Sequence, residues 1–153
     1  MSVLARGAEV IPIPPPAFYG VAIGGGVLLQ RVRPLDLDLG VVVPVLVVAT
    51  GAGLTIGGIV GVIRHRTTIV PHHPVSALVT TGAYRLSRNP MYTGLAILVV
   101  GVAMLLGTGW PIVLLPAALM AVRTLVIAPE ERYLAARFGQ GYRDYRQAVR
   151  RWL

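Results

Sequence analysis

The sequence predicts an all-α membrane domain of about four transmembrane helices, followed by a C-terminal amphipathic helix at the cytoplasmic interface. Three observations point to it. Of 153 residues, 55% are hydrophobic and only 13% charged, with a mean hydropathy of +0.71, whereas ordinary soluble domains carry about 25% charged residues. The apolar residues gather in four runs with little or no charge. The 14 basic residues are all Arg and most of them flank those runs, where they anchor helices on the cytoplasmic side. A net charge of +8 placed in that way argues for a membrane and against nucleic acid as partner. The length suits one domain, 1–153. Zero Cys excludes disulfides, thiolate metal sites, Cys nucleophiles and thioether-linked haem.

Taken in order, the start of the chain carries Arg6 and Glu9 and then Ile11-Pro-Ile-Pro-Pro-Pro16, without the apolar core and small-residue cleavage site of a signal peptide. Span one is expected at residues 17–32, after the Pro14-Pro15-Pro16 breaker, and at about 24 Å it is short. Span two, 40–63, is about 36 Å long and carries no charge. Spans three and four, 90–106 and 110–128, are separated by Gly107-Thr108-Gly109 and so form an antiparallel hairpin. The loop between spans two and three holds Arg64, Arg66, Arg85 and Arg88, and six further Arg follow span four. The positive-inside rule then places both termini in the cytoplasm. Fourteen Arg with no Lys suit a GC-rich bacterial genome, which would make the membrane a bacterial inner membrane. Ala49, Gly53, Gly57 and Gly61 recur every four residues in span two, a small-residue stripe of the kind that lets another helix approach closely.

Polar residues concentrate between Arg64 and Tyr92 and between Glu130 and Tyr145. Asn89 and Pro90 suit the N-cap and first position of span three. A helix N-terminus there can receive an anion, with Arg88 and Tyr92 on one face at a spacing of four. Glu130 and Glu131 sit where span four ends, next to Pro129. They are either solvated or available to a ribose diol or an ammonium group. Arg123 lies inside the fourth apolar run, either functional or snorkelling to the interface. His72 and His73 are bounded by prolines with no third ligand in view, so they read as polar loop residues and no metal site is expected. Tyr142, Tyr145, Val149 and Trp152 recur at helical spacing among arginines in the tail, 130–153. An interfacial amphipathic helix with this pattern docks on the membrane or caps a pocket.

These segments together resemble a known family. Leu78-Val-Thr-Thr-Gly-Ala-Tyr84, Arg88-Asn-Pro-Met-Tyr-Thr-Gly94, Glu130-Glu131 and Phe138-Gly-Gln-Gly-Tyr142-Arg-Asp-Tyr145 are similar, in order and spacing, to the isoprenylcysteine carboxyl methyltransferase and phospholipid methyltransferase family. These are small integral membrane enzymes that use S-adenosylmethionine. The resemblance covers about residues 64–153. It implies that Ser76, Ala77, Leu78, Val79 and Tyr84 bind the cofactor, as do Arg88, Asn89, Pro90, Met91 and Tyr92 in place of the family's Arg-His-Pro-x-Tyr, and Glu130 with its neighbour Glu131. Asn89 replaces the usual His and can donate and accept hydrogen bonds without titrating. Where the carboxyl methyltransferases hold their substrate carboxylate with an Arg four residues before the acidic ligand, this chain has Val126. Its nearest basic residue is Arg123, which with Asn89 is the candidate catalytic pair. The expectation is a methyltransferase acting on a lipophilic acceptor in the bilayer, a phospholipid amine in preference to a prenylcysteine carboxylate. A nicotinamide-dependent membrane reductase of similar fold and a non-catalytic membrane protein are the alternatives.

Overall fold

A computed structural model describes residues 13–66 and 75–153; His72 and His73 lie outside the described residues. Helix α1, Pro15–Val32, begins earlier than expected, because Pro15 and Pro16 sit in its first turn. Proline there gives up only an N–H that no helical carbonyl would accept, so this part of the proline run opens the helix. Helix α2, Val42–Arg64, starts after Gly40, which takes a left-handed turn at φ +61°. A 3₁₀ turn, Gly82–Arg85, leads to α3, Pro90–Leu105, and α4 is Trp110–Val122.

Helix α3 is central: it contacts α1, α2 and α4, while α1 also packs on α4. The buried core joins Tyr19 of α1, Tyr92 and Val99 of α3, Leu115 and Val122 of α4, and Val126, Ile127 and Tyr133 beyond it. Close approach sets this arrangement. A Cβ added to Gly94 would lie 2.6 Å from the Gly51 carbonyl, and one on Gly26 2.6 Å from the ring of Pro111. The α2–α3 contact therefore runs along Gly51, Thr55 and Gly58, and the stripe of Ala49, Gly53, Gly57 and Gly61 is not its seam. Gly53 faces open space, while Gly57 and Gly61 receive Ala83 and the ring of Tyr84 from the 3₁₀ turn.

At the end away from the polar segments, the connection after α1 is stitched to the α3–α4 turn. Leu37 N–H donates to the Gly107 carbonyl (3.0 Å), Gly109 N–H to Leu35 (2.8 Å), and Trp110 Nε1 to the Arg33 carbonyl (2.6 Å). Thr108, buried in this turn, donates its hydroxyl to Gln30 (2.8 Å).

After α4 the helix does not end at Ala128. A π-helical turn, Arg123–Ile127, passes directly into α5, Ala128–Phe138. Pro129 explains the turn: it has no N–H for the carbonyl four residues back, and the Ala128 N–H reaches instead to the carbonyl of Arg123. The tail is likewise not one helix. Gly139 breaks it at φ +54°, α6 runs Gln140–Ala148, and Val149 is extended. Val149 and Trp152 thus leave the helical face, and Trp152 packs against the core.

By length and composition two helices can cross a membrane, Val42–Arg64 and the continuous Trp110–Phe138, and the apolar Pro90–Leu105 is shorter. Only 17% of the apolar stretch of α2 is buried inside the protein, and Val42, Val43, Val45, Leu46, Ile56 and Ile63 are exposed. Water would penalise such a surface, and a bilayer would not.

Candidate functional site

The site is assembled where α3 begins and the fourth long helix passes its π turn. Tyr92, in the first turn of α3, is buried and donates its hydroxyl to Oε1 of Glu130 at 3.0 Å. The π turn inserts an extra residue per turn and so re-aims the face that follows it; Glu130 and Glu131 are carried by that face. Tyr19, near the start of α1, donates to the Tyr92 carbonyl at 3.0 Å in a buried contact. Thus α1, α3 and α5 are tied at one residue. The Oε2 atom of Glu130 takes no hydrogen bond among the described residues.

Beside this pair, Arg88 meets Glu131 through Nη2 at 3.3 Å, and its side chain is only 8% exposed. Glu131 is held more tightly by Arg151, whose Nε and Nη2 lie 3.0 and 2.7 Å from its two oxygens. The Nε and Nη1 atoms of Arg88 are buried without an acceptor among the described residues. A buried charged donor left unpaired costs well over 1 kcal/mol, so these atoms mark a place suited to an anion.

Asn89 stands at the N-cap of α3, but its side chain does not cap the helix. Its Nδ2 donates to the Arg151 carbonyl (3.2 Å). Ser87, fully buried, gathers the turn: its Oγ contacts Thr93 Oγ1 (3.0 Å), donates to the Arg151 carbonyl (3.0 Å) and accepts the Asn89 N–H (3.0 Å). Arg88 N–H donates to the Arg150 carbonyl (2.9 Å). The chain end from Val149 to Trp152 therefore lies along the turn that carries Arg88 and Asn89.

Tyr84 rests on Gly61, and its carbonyl accepts the Tyr145 hydroxyl from α6 at 2.7 Å. Burial, and after it the charge of Glu130, push the Tyr84 phenol above its ordinary value. Burial likewise raises Tyr145, and it pushes Tyr142 up to about 12, with the Glu131 charge adding and Arg88, Arg146 and Arg151 opposing. These phenols stay protonated at neutral pH, as donors rather than bases. The Val75–Val79 segment is anchored where Val75 N–H donates to the Tyr133 hydroxyl (3.2 Å), and Val79 is buried while Ser76 is exposed.

The structure thus brings Tyr92 and Arg88 to the two glutamates, with Tyr84 close enough for its phenol to feel the Glu130 charge. It does not bring Arg123 there. Arg123 is exposed at the head of the π turn, whose wider winding ends the alignment that seven α-helical residues would give it with Glu130. Val126 is fully buried in the core. Sequence reasoning missed Tyr19, Ser87, Tyr133 and Arg151. A Tyr within an apolar run is a usable signal for the first, because a buried hydroxyl needs a partner. Arg151 carries no comparable mark, since its link to Glu131 spans a helix break.

Residues 39–141 match the phospholipid methyltransferase family. Over 72 residues, 47% of this chain and 30% of the relative, the chain is 39% identical to the protein-S-isoprenylcysteine O-methyltransferase of Schizosaccharomyces pombe. Over 35 residues, 23% of this chain and 56% of the relative, it is 49% identical to an uncharacterized protein of Haemophilus influenzae. The matched regions therefore span less than two thirds of either relative. No solved structure matches this chain. With the family match covering both glutamates, the turn at Arg88 and the helices that join them, the chain belongs to the phospholipid methyltransferase family.

Proposed function

We propose that the protein is a multi-pass membrane enzyme that transfers a methyl group from S-adenosylmethionine to a lipophilic acceptor, a phospholipid amine in preference to a prenylcysteine carboxylate. The observation that carries this reading is the contact of Tyr92 with Glu130 across 38 residues of sequence, in a chain of this family. In this reading α1 to α4 cross a bacterial inner membrane, with the two arginine-rich segments and both termini on the cytoplasmic face. The exposed apolar side chains of α2 support it.

The residues present fit the cofactor. Its amino-acid end needs donors for a carboxylate, which Arg88 has in Nε and Nη1, and its ribose or ammonium needs an acceptor, which Glu130 has in Oε2. When bound, S-adenosylmethionine supplies an electrophilic methyl group on a sulfonium. The protein holds the reactants in line and excludes water, and alignment of this kind can supply much of the rate. Tyr92 fixes the Glu130 carboxylate, Ser76 to Val79 and Tyr84 line the same side, and Pro90 and Met91 set the start of α3. Asn89 positions the chain end instead of moving a proton. Arg123, exposed at the boundary, meets the phosphate of an arriving lipid. Val126, apolar and buried, offers nothing to a substrate carboxylate, and an unpaired charge at that depth is costly.

The test is methyl transfer from labelled S-adenosylmethionine by the detergent-purified protein to phosphatidylethanolamine and to a prenylcysteine. Turnover of the amine in clear excess is expected. Efficient prenylcysteine methylation in an Arg123→Ala variant would overturn the acceptor assignment, and no transfer to any lipid would overturn the enzyme.

A further inference from the structure

Two guanidinium groups share the one carboxylate of Glu131, and they share it unequally. Arg151 takes both oxygens in a fork, at 3.0 and 2.7 Å, the geometry in which an Arg–carboxylate pair is strongest. Arg88 keeps one longer contact, 3.3 Å, to an oxygen that Arg151 already engages. Yet Arg88 is the more deeply buried of the two, 8% exposed against 25%. A buried guanidinium alone beside a carboxylate would turn its fork onto both oxygens; with Arg151 in place it cannot, and Nε and Nη1 remain without acceptors among the described residues.

Arg151 is itself held in register. Its carbonyl accepts from Ser87 Oγ and Asn89 Nδ2, the Arg150 carbonyl accepts the Arg88 N–H, and Trp152 packs into the core. The turn that carries Arg88 therefore also fixes the residue that keeps Arg88 from Glu131.

We propose that Arg151 is a positioning residue: by occupying both oxygens of Glu131 it keeps Nε and Nη1 of Arg88 available for an oxyanion, the carboxylate of the cofactor or the phosphate of a lipid headgroup. The inference rests on the reading that this site takes S-adenosylmethionine beside a lipid, and it adds what holds the anion-binding donors free.

The experiment titrates the full-length detergent-purified protein with S-adenosylhomocysteine, with 5′-methylthioadenosine, which lacks the amino-acid carboxylate, and with dihexanoyl phosphatidic acid. Arg151→Gln frees Glu131 to take the Arg88 fork. It is expected to weaken S-adenosylhomocysteine at least tenfold while moving methylthioadenosine less than twofold. Arg151→Lys, which can hold one oxygen only, should fall between. Glu131→Gln/Arg151→Gln, which removes the competing carboxylate as well, should bind S-adenosylhomocysteine at least threefold more tightly than Arg151→Gln does. If Arg151→Gln instead spares S-adenosylhomocysteine and weakens the phosphatidic acid, with the same rescue, the oxyanion is the lipid phosphate. Equal losses for all three probes, or a double variant no better than the single one, would overturn the proposal and leave Arg151 a stabilising contact. A wild-type protein that binds none of the probes would overturn the functional reading along with it.

Discussion

Removing both partners of the Tyr92–Glu130 hydrogen bond should cost less than the sum of removing each alone. The bond is 3.0 Å long and joins a buried tyrosine to a carboxyl group. Such a bond contributes about 0.5–1.5 kcal/mol between neutral groups and about 1.5–3 kcal/mol when the carboxyl is ionised. Glu130→Ala strands the Tyr92 hydroxyl, whose only hydrogen bond among the described residues is to Glu130, and Tyr92→Phe leaves Oε1 without its donor. Each single change should lower stability by about 1–3 kcal/mol, the desolvation cost of an orphaned polar group. In the double variant nothing is orphaned, so the losses should fall short of additivity by about 1–2 kcal/mol, within the usual range for coupled contacts. The assay is a double-mutant cycle on thermal midpoints in one detergent, with S-adenosylmethionine titrated into each variant. Cofactor affinity should drop at least tenfold in Glu130→Ala, about 1.4 kcal/mol, and less in Tyr92→Phe. Additive losses within about 0.3 kcal/mol would mean the two side chains do not meet as described.

Gly94→Ala drives a methyl group against the Gly51 carbonyl, a backbone atom that cannot step aside; a loss of about 1–3 kcal/mol is expected, whereas Gly53→Ala, which meets nothing within 4 Å, should be neutral or slightly stabilising, and equal midpoints for the two would contradict the α2–α3 seam. Arg123→Ala should leave S-adenosylmethionine affinity within about twofold, because the residue is exposed beyond the π turn; a tenfold loss by calorimetry would return it to the cofactor site. The raised phenols of Tyr84, Tyr142 and Tyr145 favour the protonated folded state, so their stabilisation is complete below pH 10, the unfolded tyrosine value, and is lost as pH rises above it. A thermal midpoint that is flat up to pH 9 and falls beyond 10, less steeply in Tyr142→Phe, is expected, and a fall shared equally by that variant would remove Tyr142 from the cause.

The helices were legible because each apolar run is bounded by residues with one conformational meaning: Pro90 opens α3, Gly107 turns it into α4, and Gly40 delays α2. Boundaries slipped where a residue serves two uses, as Pro15 does in starting a helix instead of stopping the chain. The π turn was not legible, since Pro129 announces a disturbance without saying whether the helix kinks or widens; that one ambiguity misaligned Arg123 with Glu130. The packing stripe was misread for a similar reason. Gly51, Thr55 and Gly58 and Ala49, Gly53, Gly57 and Gly61 are both small-residue rows on one helix, and only the position of α3 chooses between them. At the site, Arg88, Tyr92 and the two glutamates stood out as charge and hydroxyl at the edges of apolar runs. The chain end did not, because the hydrogen bonds that lay Val149 to Trp152 along Ser87 and Asn89 are made largely by backbone carbonyls, which carry no sequence signature.

The central claim is that the start of α3 and the glutamates beyond the π turn form one S-adenosylmethionine site. Calorimetric titration of S-adenosylmethionine into the purified protein, with Glu130→Ala and Arg88→Ala alongside, tests it most directly. Saturable one-to-one binding by the wild type, weakened at least tenfold by either substitution in protein that remains folded, is the predicted result; binding that both variants retain unchanged, or no binding by the wild type, would contradict it.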